Sequence, residues 1–120
     1  MQALADEVSL VHANALHMLN DALRRRFLVR DLLWCATCDC PWVPVLLRPM
    51  SRYYACHNKG CPHPAMPAGL VEHRVWSRFV RVHGFEACQI PRDQRHDALT
   101  EALQRVMVCP GLMLRLEWWD

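Results

Sequence analysis

Cys35-Ala36-Thr37-Cys38 and, seventeen residues later, Cys56-His57-Asn58-Lys59-Gly60-Cys61 form two cysteine pairs in a chain of 120 residues. Zinc takes four ligands at tetrahedral corners, and two short loops joined by a hairpin-length stretch supply two thiolates each with little chain strain. The spacing predicts one structural Zn²⁺ held by Cys35, Cys38, Cys56 and Cys61 in a zinc ribbon. Such an ion has no open coordination position, so it holds a fold together and does not activate water. Cys40, His57 and His63 stand beside the two pairs, and each carries a donor able to replace a named ligand.

Working outward, Pro41, Pro44 and Pro49 rule out a helix between the pairs. A short strand into Cys35, a strand over Val43 to Leu47, a turn at Pro49-Met50-Ser51 and a strand over Arg52 to Ala55 are expected instead. The same prolines dispose of a rival reading. Trp34-Cys35-Ala36-Thr37-Cys38 matches a redox dithiol signature, but that chemistry needs the first thiolate at a helix N-terminus, and Asp39-Cys40-Pro41-Trp42-Val43-Pro44 cannot continue as a helix. A zinc deaminase would need a histidine-x-glutamate segment ahead of its cysteine pair, and none precedes Cys35.

Upstream, Leu4, Val8, Val11, Ala15, Met18 and Leu19 recur on one helical face, predicting an amphipathic helix over residues 3–26 that ends in Arg24-Arg25-Arg26. Downstream, Val71, Val75, Phe79 and Val82 predict a helix over residues 69–82. A third helix is expected over residues 91–108, with Leu99, Leu103 and Val106 on one side and a Glu101–Arg105 pair. Leu112, Leu114, Leu116 and Trp118 alternate as in a half-buried strand. The fold class is therefore α+β: an N-terminal helix over residues 1–29, the ribbon over residues 30–68, and a helix-helix-strand extension over residues 69–120 packed on it. Trp42, Tyr53 and Trp119 are read as exposed aromatics, and Cys88 and Cys109 as core thiols.

Charge and composition limit the function. The formal charge is +2, and four thiolates with one Zn²⁺ add a charge of about −2, so a nucleic-acid role must rest on a local patch. Arg48, Arg52 and Lys59 on the ribbon, and Arg74, Arg78 and Arg81 along the second helix, are the candidate phosphate contacts. Charge compensation of the thiolates, for Arg30, Arg52 and Lys59, and a solvated surface, for the helix stripe, are the competing explanations. No secretory signal or span of bilayer length is recognised, and the odd count of seven cysteines does not suit a disulfide framework, so a cytoplasmic protein without membrane association is expected.

Three runs carry a resemblance: Arg30 to Cys38, then Arg52-Tyr53-Tyr54-Ala55-Cys56 with Cys61, then Ala68-Gly69-Leu70-Val71-Glu72-His73-Arg74-Val75-Trp76. Together they resemble the recombinase zinc beta ribbon of large serine recombinases. That family has a leucine-rich approach to a cysteine pair, an aromatic pair before the third cysteine, and a helix opening on valine-glutamate. Where the family commonly has glycine after the second cysteine, this chain has Asp39. The resemblance implies DNA association within site-specific recombination, in a mobile-element setting. It does not imply cleavage: the serine nucleophile belongs to a catalytic domain that the thirty residues before the ribbon are too few to contain, so no enzyme and no small-molecule substrate are expected. The alternative is a zinc-stabilised adaptor that binds a protein partner, or its own copy, through residues 3–26.

Overall fold

The computed structural model describes residues 21–47 and 51–119. Most of the expected N-terminal helix, the 49–51 turn and Arg48 lie outside the described residues; α1 is seen over Asp21–Arg24. The remaining elements are β1 (Leu33–Cys35), β2 (Cys40–Leu47), β3 (Ser51–Cys56), β4 (Met66–Pro67), α2 (Ala68–His83), α3 (Phe85–Cys88), α4 (Arg95–Ala102), β5 (Leu103–Cys109) and β6 (Met113–Trp118). Short 3-10 turns at Arg92–Gln94 and Pro110–Leu112 precede α4 and β6.

The ribbon forms where the sequence places it. β1 and β2 pair antiparallel through Cys35 and Cys40, β2 and β3 from Trp42 opposite Cys56 to Leu47 opposite Ser51, and β4 pairs with β3. Proline inside β2 is tolerated because β1 covers only Cys40 and Pro41, so Pro44 is spared a second neighbour on that side. The fold is α+β, with a six-stranded sheet in the order β4-β3-β2-β1-β5-β6.

The third helix is corrected by the structure: helix ends at Ala102, and residues 103–109 are strand β5, parallel to β1 and antiparallel to β6. Leu99, Leu103 and Val106 satisfy helical spacing, but Val106-Met107-Val108 is a continuous buried run that fits between two neighbouring strands. Arg105 accordingly pairs with Glu117 across the β5–β6 ladder at 2.6 Å, not with Glu101. In β6, Leu114 is buried while Met113 and Arg115 are exposed, so the expected alternation holds at the start of the strand; Leu116, Glu117 and Trp118 are all half-buried.

Val71, Val75 and Phe79 are buried along α2, but Val82 is 63% exposed. Four-residue steps from Val71 lead to position 83, where His83 packs at a tilt against Phe79 with ring centroids 4.3 Å apart. Two further expectations reverse. Trp42 is buried in the main core, with its indole N–H unpartnered among the described residues, and Cys88 is exposed.

Candidate metal centre

The four cysteine sulfurs lie within 4.8 Å of one another, with Cys35 and Cys56 buried and Cys38 and Cys61 half-buried. Cys35 and Cys61 sulfurs are 3.9 Å apart, close to the roughly 3.8 Å edge that a tetrahedron with metal–sulfur bonds of about 2.3 Å requires. The donor set therefore fits a structural four-thiolate ion. Among the described residues this is the group of metal-ligating side chains that comes together.

Each knuckle is built by local backbone chemistry. In the first, β1 ends at Cys35, Cys38 N–H approaches the Cys35 sulfur at 3.4 Å, and Asp39 N–H closes the turn on the Cys35 carbonyl at 2.9 Å. Asp39 takes φ = 53°, the left-handed conformation that glycine adopts freely and that Asp tolerates better than most residues. Its carboxylate accepts the Trp34 indole N–H at 3.0 Å, which directs the negative charge into a hydrogen bond. In the second knuckle, Asn58 accepts from Gly60 N–H through its side chain and from Cys61 N–H through its carbonyl, both at 3.0 Å.

Strand β5 also supports the centre. Val106 N–H donates to Leu32 and Ala36 N–H donates to Val108, so the chain is pinned on both sides of Cys35. The segment that helical spacing misread is thus the one that holds Cys35 in register.

Burial pushes the Cys35 thiol up, but hydrogen bonds from the backbone of Cys38 and Thr37 and from neighbouring thiols outweigh it, and the net direction is down. Cys56 and Cys61 are pushed up, chiefly by burial. Cysteine binds metal as a thiolate, so metal uptake at this cluster would release protons.

Three further donors lie near the four sulfurs. His63 Nε2 meets Thr37 Oγ1 at 3.1 Å, linking the two knuckles, while the His57 backbone N–H donates to Pro41. Cys40 is not an isolated core thiol: its sulfur touches that of Cys56 at 3.4 Å.

The basic candidates divide into two groups. Arg52 donates both terminal nitrogens to Glu72 at 3.1 Å, and Arg78 donates to the Leu114 carbonyl, tying α2 to β6. Lys59, Arg74 and Arg81 are exposed. Glu72, quoted above only as part of a helix-opening pair, is the hub of a buried network: it also accepts from Tyr54 Oη at 2.8 Å and from Leu28 N–H at 2.7 Å. Tyr54 in turn accepts from Val29 N–H at 3.1 Å and packs edge-on against Phe27 at 5.5 Å. A glutamate beside valine at the start of an amphipathic helix was the available signal; its partners, eighteen or more residues away, were not.

No family model and no curated protein matches the chain. Among solved structures, one described as "Sequence Requirements of the Listeria innocua prophage attP site" superposes with TM-score 0.60 at 15% identity, covering 91% of this chain and 47% of that one. Another, "Crystal Structure of a LSR-DNA Complex", gives TM-score 0.56 at 13% identity over 77% of this chain and 50% of that one. The chain thus spans about half the length of the solved chains it matches. The resemblance to the recombinase zinc beta ribbon is matched at the level of the fold, and the four-cysteine cluster suits that ribbon.

Proposed function

We propose that this chain is a non-catalytic, zinc-clasped DNA-binding module associated with site-specific recombination, of mobile-element origin and cytoplasmic. The carrying observation is the convergence of four cysteine sulfurs within 4.8 Å, set in a fold shared with chains described in terms of an attP site and a recombinase–DNA complex. Four thiolates fill the coordination sphere of Zn²⁺, which suits a clasp and leaves no position for an activated water. The ribbon and α2 then present cations to phosphate: Lys59, Arg74 and Arg81 from exposed positions, with Arg48, Arg52 and Arg78 completing the candidate set.

Metal analysis of the purified chain, run beside a salt-titrated gel shift on duplex DNA, tests this reading. One equivalent of zinc is expected, with affinity falling steeply between about 50 and 200 mM salt. Binding that ignores salt, or no binding at all, overturns it. An adaptor reading draws on a different observation: Val82 and Phe85, on either side of the α2–α3 bend at Gly84, are 63% and 77% exposed. Light scattering on the full chain, on a form lacking residues 1–20 and on Val82→Ser/Phe85→Ser tests it, since self-association through residues 3–26 or through this bend requires the mass to fall in the corresponding variant.

A further inference from the structure

Away from the sulfurs, a cleft of about 890 Å³ opens where the segment after α1, the first half of α2 and the start of α4 meet. Six arginines line it, Arg25, Arg26, Arg30, Arg52, Arg92 and Arg95, against three carboxylates, Glu72, Asp93 and Asp97. Glu72 is consumed by Arg52, which leaves Asp93 and Asp97 facing five other guanidiniums. His73 and His96 are also in the wall.

Arg25, Arg26 and Arg92 are exposed, and among the described residues none of the three has an acidic partner. Arg95 is held in place instead, its guanidinium 4.6 Å over the Trp76 ring and its Nε 3.5 Å from the Ile90 carbonyl. Gathering this many like charges around one concavity costs Coulomb energy unless an anion offsets it.

We infer that this cleft is a seat for the phosphodiester backbone of DNA and the main phosphate-binding surface of the chain. The inference rests on the DNA-binding reading above and moves its centre. The free guanidiniums come from two separated segments and stand at exposed positions, which suits a string of spaced charges better than one compact anion. Cleft residues Gly69, Glu72 and Trp76 fall on the side of α2 away from Arg74, Arg78 and Arg81, as about 100° per residue requires. The cleft and the stripe are therefore separate surfaces, and the cleft is assigned the larger share of the phosphate contacts. Arg24-Arg25-Arg26, read from sequence as helix-terminal cations, takes a second role: Arg24 pairs with Asp31 at 2.8 Å while its two neighbours face the cleft.

The test compares the full chain with Arg25→Ala/Arg26→Ala/Arg92→Ala and with Arg74→Ala/Arg81→Ala, measuring duplex affinity against salt by fluorescence anisotropy. Zinc content and circular dichroism confirm that each variant is folded. The cleft variant should bind roughly 100-fold more weakly at about 0.1 M salt, and its log–log salt slope should flatten by about 2.7, the value for three lost phosphate contacts. The stripe variant should lose less affinity and flatten the slope less than the cleft variant does. If wild type binds and the cleft variant binds equally well, or the stripe variant alone loses affinity, the cleft assignment falls while DNA binding stands. If wild type binds no duplex, the functional reading itself fails and takes the cleft with it. Displacement of the duplex by tripolyphosphate at equal phosphate concentration would reassign the cleft to a compact anion and overturn the proposal.

Discussion

The two ends of strand β3 are secured by different chemistry. At Cys56 the strand ends in a cluster of sulfurs that fits a metal ion, whereas at Arg52 and Tyr54 it is fastened to α2 by a carboxylate, a guanidinium and a phenol that satisfy one another. Each knuckle of the sulfur end is a local turn, and the two meet only when the β2–β3 hairpin brings them together. The Glu72 end joins β3, α2 and the 27–29 segment, so it exists only once all three are in place. A metal clasp would hold the two knuckles together, while the carboxylate hub ties α2 and the 27–29 segment to the other end of β3.

Breaking the clasp should have the largest effect. Structural zinc supplies on the order of 10–16 kcal/mol of apparent binding free energy at pH 7 in small zinc modules, so Cys56→Ser should abolish metal retention and unfold the ribbon by circular dichroism. Cys88→Ser, at an exposed thiol, should leave both unchanged. Equal stability of the two variants would contradict the clasp.

Next comes the hub. Glu72→Ala leaves Arg52 without its partner at a site where the two side chains are 12% and 25% exposed, and should cost about 3 kcal/mol in urea unfolding of the metal-loaded chain. Zinc content should remain at the wild-type level, which separates the two ends experimentally.

The hub also carries a pH signature. Burial, followed by the adjacent Glu72 carboxylate, holds the Tyr54 hydroxyl well above its ordinary range. In the unfolded chain that hydroxyl ionises near pH 10, so above this pH the unfolded state binds fewer protons and stability declines as pH rises; below it the contribution is fully present. Tyr54→Phe should lose about 1–2 kcal/mol at neutral pH and then decline less steeply than wild type under alkali, as denaturant midpoints across pH would show.

The smallest effect separates shape from charge in the first knuckle. Asp39→Gly should change stability by less than about 1 kcal/mol, because easier access to positive φ offsets the lost Trp34 hydrogen bond. Asp39→Val, with a β-branched side chain at φ = 53°, should cost about 2 kcal/mol. Thermal melts of the metal-loaded variants would order them.

Legibility followed the range of the interactions. The cysteine pairs, the proline-broken strands between them and the Val71-Val75-Phe79 stripe were readable because each is a local pattern with one physical solution. Residues 103–109 were not, because Leu103 and Val106 fit a helix and a strand equally, and what selects the strand is the presence of β1 and β6 on either side. Trp42 failed for a related reason. Its neighbours are prolines and valines that look like an exposed hairpin, and only packing places the ring in the core. The cleft was invisible in the same way: Arg25 and Arg92 are distant in sequence and are brought to one concavity by folding.

From the order of residues alone came the ligand-bearing knuckles, the ribbon strands, the second helix and the α+β class, since thiolate spacing, proline and apolar periodicity act over a few residues of chain. Tertiary structure alone decided that a parallel strand braces Cys35, that Glu72 gathers Arg52, Tyr54 and Leu28, and that arginines from opposite halves of the chain face one cleft. The reason is physical: backbone pairing and buried charge are satisfied by whichever partners arrive in space, and no local pattern specifies those partners in advance.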